Sequence, residues 1–376
     1  MRNTAIWTTV FCLAVATAAQ AGTWTVDQGG GGNFTTIGAA LADTNVVDGD
    51  TINVNPGTYD EAIQVMKGVV LSGADPTTTF ITYSGVSEQI VFLGDNNGET
   101  FSTGLTFRNF GLYPSDNLDG DSDLIKLRAS GTATDKVVIQ NCIFNGNSTG
   151  TSHKAKGIEE SQHANHVEIT GNTFTDCYYG MWLNTPQHAT ITDNTITNTK
   201  YSGLAVCTSD SGVNAPQDIL IEGNTITQSG YEAHPDWQDS IFSTGIHLGS
   251  TIFDVTITGN DIIDNYAYGI VIHDRDTTDL SNVNINWNNI YDTVLDRGLI
   301  NLMTTEVNGK CNWWGDASGP SGEGSGSGDA VSTYVDASTW LDGPAPGGNC
   351  IPEPATLSLL ALGGLTLLRR RRGARR

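Results

Sequence analysis

Val167-Glu-Ile-Thr-Gly-Asn172-Thr-Phe174 decides how this chain folds, because the same pattern returns along it. It recurs as Ala189-Thr-Ile-Thr-Asp-Asn194-Thr-Ile196 and as Ile219-Leu-Ile-Glu-Gly-Asn224-Thr-Ile226. Two further copies are Val255-Thr-Ile-Thr-Gly-Asn260-Asp-Ile262 and Val283-Asn-Ile-Asn-Trp-Asn288-Asn-Ile290. An earlier one, Val137-Val-Ile-Gln-Asn-Cys142-Ile-Phe144, has a cysteine where the others have asparagine. Each unit reads apolar-x-apolar-x-x-Asn-x-apolar. Such alternation marks a strand with one buried face, and the Thr, Val and Ile content suits it. A shorter strand signal follows each copy: Gly157-Ile, Gly180-Met, Gly203-Leu, Gly245-Ile, Gly269-Ile and Gly298-Leu. No helical period lies between them, which excludes the α/β folds. The chain is a solenoid of short strands.

Spacings between the marked positions are 30, 22, 30, 36 and 28 residues. The shortest is a bare coil, and the longer ones are that coil plus loops. Asparagine tolerates the left-handed conformation of a tight corner. If corners stack, side-chain amides about 4.8 Å apart can form a ladder that satisfies otherwise buried polar groups. Asn172, Asn194, Asn224, Asn260, Asn288 and Asn312 are therefore read as structural.

Two further stretches carry a resemblance. Phe34-Thr-Thr-Ile-Gly-Ala-Ala-Leu41 and Asp48-Gly-Asp-Thr-Ile-Asn-Val-Asn-Pro-Gly-Thr-Tyr-Asp-Glu61 resemble the opening of right-handed parallel β-helix proteins. That pectin-lyase-like group includes pectinesterases and periplasmic NosD-type proteins. Phe34, Ile37 and Leu41 share a helical face with Asn33 as N-cap, so this segment would cap the open coil. Cys311-Asn-Trp-Trp-Gly-Asp-Ala-Ser-Gly-Pro320 resembles the closing motif of such repeats, its tryptophans forming a plug. The resemblance implies an all-β, single-stranded right-handed β-helix over 22–306 with its N-terminal cap, then a C-terminal cap and Gly/Ser-rich segment over 307–350.

The ends read as addresses. Residues 1–21 have Arg2, a short apolar stretch and Ala19-Gln20-Ala21, the pattern of a cleaved export signal. Residues 351–376 hold Pro352-Glu353-Pro354, the apolar run Ala355 to Leu368 and the cluster Arg369 to Arg372. This resembles the PEP-CTERM sorting signal, which implies processing by an exosortase-type protease, beside a signal peptidase, and delivery to a bacterial surface or matrix. The apolar run is shorter than the roughly 20 residues of a stable span, so the mature chain is not expected to cross a membrane. Without both ends, 11 basic side chains face 40 acidic ones, a formal charge of −29. Such a surface excludes nucleic acid as a partner. A monomer is expected.

Five cysteines remain in the mature chain, an odd number with no metal-type spacing. Cys311 and Cys350 are the candidate disulfide. No metal or other cofactor is expected; calcium suits the acidity, but no motif supports it.

Loop lengths point to a site. The long connections 145–156 and 228–244 leave one corner three coils apart, about 14 Å. Between them the floor would carry Tyr178, Tyr179, Trp182 and Tyr201. One wall offers His153, Lys154 and Lys156; the other offers Tyr231, Glu232, His234, Asp236, Trp237 and Asp239. Aromatic faces with directional polar groups hold carbohydrate rings. Glu159, Glu160, Asp176 and Asp239 are available as acids, yet no spacing singles out a catalytic pair. Catalytic residues are unknown. His247 and His273 read as surface residues. The expectation is a non-catalytic polysaccharide-binding or matrix protein; the alternative is a polysaccharide lyase, glycoside hydrolase or epimerase using that groove.

Overall fold

A computed structural model describes residues 21–85, 88–114, 122–146, 155–161, 164–207, 215–230, 241–249, 251–273 and 280–352. The repeats stack as parallel strands on three faces, and the crossovers wind right-handed. The ladder face carries Val137–Gln140, Asn165–Thr170, Gln187–Thr192, Gln217–Glu222, Ile252–Thr258 and Leu280–Asn286. Its register puts Ile139, Ile169, Ile191, Ile221, Ile257 and Ile285 on successive rungs, all buried. A short face follows the corner, with Ile143–Asn145, Thr173–Thr175, Thr195–Thr197, Thr225–Thr227, Asp261–Ile263 and Asn289–Tyr291. The broad face runs from Gln89–Thr100 through Ser122–Ser130, Ala155–Ser161, Met181–Asn184, Leu204–Cys207, Thr244–Gly249 and Tyr268–His273 to Arg297–Asn301.

The interior is stacked by residue type. Phe144 and Phe174 lie ring on ring at 4.4 Å, and Ile196, Ile226, Ile262 and Ile290 continue the file. That file explains the glycines at the start of the broad-face strands. A Cβ on Gly180 would stand 2.4 Å from the Gly203 carbonyl oxygen and 2.7 Å from Ile196 Cγ2. No larger side chain fits.

All six marked asparagines form one file at a buried corner. In each step the backbone N–H of one and its Nδ2 donate to the Oδ1 of the next, at 2.9–3.0 Å. Each Nδ2 also donates to an isoleucine carbonyl of the preceding coil, such as Asn224 to Ile191. Cys142 tops the file through its backbone N–H alone, donating to Asn172 Oδ1. The left-handed residue is the one before each asparagine: Gly171 at φ +65°, Asp193 at +55°, Trp287 at +61°. The asparagine supplies hydrogen bonds, and its neighbour makes the turn. A second polar file, missed in the sequence, stands at the other end of the short face, where Ser229 N–H donates to Asn265 Oδ1 at 3.0 Å.

Helix Ile37–Ala42 is the single α-helix among the described residues and buries Ile37, Ala40 and Leu41 in the core. Its N-cap is Thr36, whose hydroxyl accepts from Ala39 N–H at 3.1 Å, not Asn33. Asn33 instead accepts from Thr25 N–H, and Phe34 lies before the helix in a bridge to Val26. The Glu61 carboxylate completes the cap by accepting from Ile37 and Gly38 N–H at 2.8 Å each. At the far end the parallel faces continue through Val307–Asn308 and Val335–Asp336, past the expected boundary at 306. Trp314 is fully buried and plugs the coil, whereas Trp313 stays half exposed. One tryptophan, not two, is the plug. Cys311 and Cys350 are bonded with Cα atoms 5.0 Å apart, tying the hairpin of Thr339–Leu341 and Cys350–Pro352 to the last ladder corner. Cys142, Cys177 and Cys207 are buried and form no disulfide.

Candidate functional site

The two long connections do leave one corner, since Asn145, Thr175, Thr197 and Thr227 sit on successive rungs. Of the wall residues, His153, Lys154, Tyr231, Glu232, His234, Asp236, Trp237 and Asp239 lie outside the described residues. The aromatic floor is present but is not an open row. Tyr201 and Tyr179 are 1 % and 7 % exposed, while Tyr178 and Trp182 remain half buried. Tyr178 and Tyr201 meet edge to face at 4.8 Å, and so do Tyr179 and Trp182. Edge-to-face contact offers the positive edge of one ring to the negative face of another. Tyr179 and Tyr201 are therefore packing residues, which corrects their place in the floor. The Lys200 ammonium lies 5.4 Å from the Tyr178 ring centre and 5.7 Å from that of Tyr201.

Register extends this patch along the outside of the broad face. Lys126, Glu159, Trp182, Ala205, His247, Val271 and Ile300 stand on consecutive rungs. At one end Trp182, Tyr266 and Ile300 pack against an outer cluster of Ile241, Phe242, Ala267, Tyr268 and Val271, separate from the core. Apart from Trp182, the sequence reading missed these residues. Their signal was the unbroken apolar run Tyr268-Gly-Ile-Val-Ile272, which marks a strand covered on both sides.

At the other end the outer row is charged. Glu159 is bonded to both Lys126 and Lys156, and Asp123 lies 3.4 Å from the first ammonium and 3.7 Å from the second. Burial, then the Glu159 charge beside it, push the Asp123 carboxyl well above the ordinary carboxylate range against the two lysines. Burial also opposes ionisation of Glu159, but Lys156 and Lys126 overcome it and hold that carboxyl below its usual value. Glu160 alternates to the inside, is fully buried between Leu127 and Leu183, and is driven well up by burial. Glu159 and Glu160 thus point opposite ways and cannot flank one substrate. Asp176 is a left-handed corner residue that accepts from Asn198 Nδ2 at 2.5 Å.

Further along, three rungs bring together side chains remote in sequence. Cys207, Gly249 and His273 are register partners at the ends of their strands. His247 is only 1 % exposed, a buried group and not the surface residue expected; its Nε2 lies 3.2 Å from His273 Nδ1. Phe242 sets its ring edge to face with His247 at 4.9 Å. The Cys207 thiol donates to Asn184 Oδ1 at 3.3 Å.

These features can be set beside known proteins. The A-module of a mannuronan C-5 epimerase from Azotobacter vinelandii is 15 % identical over 80 % of this chain and 89 % of its own, with a TM-score of 0.33. An alginate lyase from Paenibacillus is 13 % identical over 84 % and 99 %, at 0.38. A pectin methylesterase from carrot is 11 % identical over 86 % and 89 %, at 0.32. No curated protein matches the chain. A PEP-CTERM protein-sorting motif matches residues 351–372, marking an exported protein handed to an exosortase. A family profile described as periplasmic copper-binding protein (NosD) matches residues 44–227 and, overlapping, 114–308. With more than half of its length inside that profile and its repeats wound as a parallel β-helix, the chain belongs to the NosD family.

Proposed function

We propose that this protein is a surface-delivered β-helix that binds extracellular polysaccharide without turning it over, through the outer broad face. The observation that carries this reading is the half-buried pair Trp182 and Tyr178, on the coils between those that start the two long connections, with Lys200 beside Tyr178. Aromatic faces next to directional polar groups suit sugar rings. The formal −29 of the mature chain favours a neutral or cation-bridged polymer over a polyanion. Affinity electrophoresis in gels cast with bacterial exopolysaccharides tests it. Trp182→Ala should lose retardation while stability falls by only about 1–2 kcal/mol, the share of its half-buried packing against the outer cluster. A loss of about 3 kcal/mol or more in stability would mark Trp182 as a packing residue and end the proposal.

Catalysis is the second reading, as a lyase, hydrolase or epimerase. One observation favours it: Asp123 is pushed towards the acid form beside a Glu159 held ionised, a division that suits proton transfer. Reducing-end and unsaturated-product assays on the same polymers decide between the two.

The family description names copper, which this chain's donors can be tested against. Thiolate and imidazole are ligands copper takes, and Cys207, His247 and His273 are near one another on the broad face, but among the described residues no group of three His, Cys, Asp or Glu side chains is placed to hold a metal ion. The Cys207 sulfur faces Asn184 Oδ1 instead of the imidazoles, so the residues present do not fit the ion and no step is routed through it.

A further inference from the structure

We infer that the outer ladder face of the last coils is a second binding surface for a neutral polysaccharide chain. Trp287 and Tyr334 are its aromatic contacts, and the amides of Asn284, Asn286 and Asn308 lie between them. It takes the same class of ligand as the broad face but rests on none of that face's residues. Its first support is a pair of strained positions. The corner before each ladder asparagine needs only a left-handed backbone, and the preceding coils meet that need with Gly171, Asp193, Gly223 and Gly259. Trp287 holds φ +61° at the same place. Tyr334 holds +65° where earlier coils have His188, Asp218, Asp254 and Asn282. That conformation strains a bulky side chain, whereas glycine and short polar residues adopt it easily. The coil enforces it, since Trp287 N–H donates to Cys311 O and Tyr334 O accepts from Val307 N–H, each at 2.9 Å. Yet the two side chains are 44 % and 43 % exposed. Strained residues kept in this way cluster where ligands bind.

The second support is the amide row between the rings. Asn308 Nδ2 donates to Asn284 Oδ1 at 3.0 Å, and Asn286 Nδ2 to Asn308 Oδ1 at 3.3 Å. Asn284 Nδ2 donates in turn to Asn282 Oδ1 at 2.9 Å. Asn284, Asn286 and Asn308 stay part exposed. An amide has two N–H donors and an oxygen with two lone pairs. The bonds within the row fix its direction and leave capacity over for sugar hydroxyls.

The third support is size and charge. Tyr334 stands two rungs from Asn282, and Trp287 lies five residues beyond Asn282 on its strand. The two positions are therefore roughly 19 Å apart, the length of a short oligosaccharide. Lys310 is paired with Asp336 at 2.6 Å, so the nearest cation is already neutralised and offers nothing to a polyanion. Aromatic faces with a fixed amide row between them suit a neutral sugar chain. Each face alone is weak, so a polymer is retained only while it spans both this face and the broad one.

The test is nuclear magnetic resonance of the nitrogen-15-labelled, disulfide-intact chain, titrated with cellohexaose, mannohexaose and isomaltohexaose. Each indole N–H gives its own signal, and Trp287→Asn and Trp182→Ala identify two of them. The Trp287 signal should shift with at least one hexasaccharide, in the unaltered chain and in Trp182→Ala alike. Tyr334→Asn should weaken that affinity about 3–10-fold. Trp287→Asn should abolish retardation in polysaccharide gels while the unfolding midpoint moves by no more than about 4 °C, because released strain offsets lost packing. A Trp287 signal unmoved by all three sugars while that of Trp182 responds overturns this face and leaves the broad face standing. No shift at either indole ends both readings. A midpoint lowered by about 8 °C or more with retardation intact marks Trp287 as a packing residue and overturns the inference as well.

Discussion

The ladder corner and the outer broad face run side by side along the same coils, yet they use opposite rules. At the corner, five copies of asparagine follow Asn172, and every amide but the last, Asn312, serves both the next coil and the preceding one. On the outer face, consecutive rungs read Lys126, Glu159, Trp182, Ala205, His247 and Val271. A buried turn leaves backbone donors that one particular side chain satisfies, so every coil needs the same residue. An outward position has no such debt to the backbone and is open to charge, imidazole or aromatic surface. Uniform rungs mark structure, and varied rungs mark the place for a site.

The largest break in that contrast is Asn224→Ala, at the middle of the file. Asn224 accepts from Asn194 N–H and Nδ2 and donates to Ile191 O and Asn260 Oδ1, all buried. Orphaning these groups should cost about 3–5 kcal/mol in denaturant unfolding. A loss below about 1 kcal/mol would mean that water replaces the amide. Next comes Cys350→Ser, which opens a 39-residue loop at the end of the same corner. It should lower stability by about 3–4 kcal/mol, read from chemical denaturation with and without reductant.

A smaller effect belongs to the charged end of the broad face. Glu160 is held protonated in the folded chain but ionises above its ordinary value of 4.5 once unfolded. The folded state then carries the extra proton, so stability falls as pH rises from about 4.5 towards neutrality. Asp123 acts in the same direction. Glu160→Gln should flatten that decline in melting temperature across the same window; an unchanged slope would assign it to Asp123. The smallest effect is expected at the partly exposed pair Lys136–Glu168 on the ladder face. Lys136→Ala should change stability by no more than about 0.5 kcal/mol and lose even that in salt.

What the sequence determined by itself is the coil: the strands, their inward residues, the ladder file and the family resemblance. These are legible because inward alternation and a corner amide are local patterns repeated until chance is excluded. Asn33 and Thr36 show the limit even there, since either polar residue could start the helix until Glu61 arrived from a later strand to hold Ile37 and Gly38. Tyr179 and Tyr201 show it again. Their spacing placed them on the floor, but only packing could decide that their rings face each other and not solvent. The outer face is a tertiary product throughout. His247 and His273 are 26 residues apart, and their meeting depends on how much chain each loop consumes before the next rung begins. Loop length is visible in the sequence, but the register it produces is fixed by backbone pairing between coils. Cys207, Gly249 and His273 become neighbours only when that pairing forms.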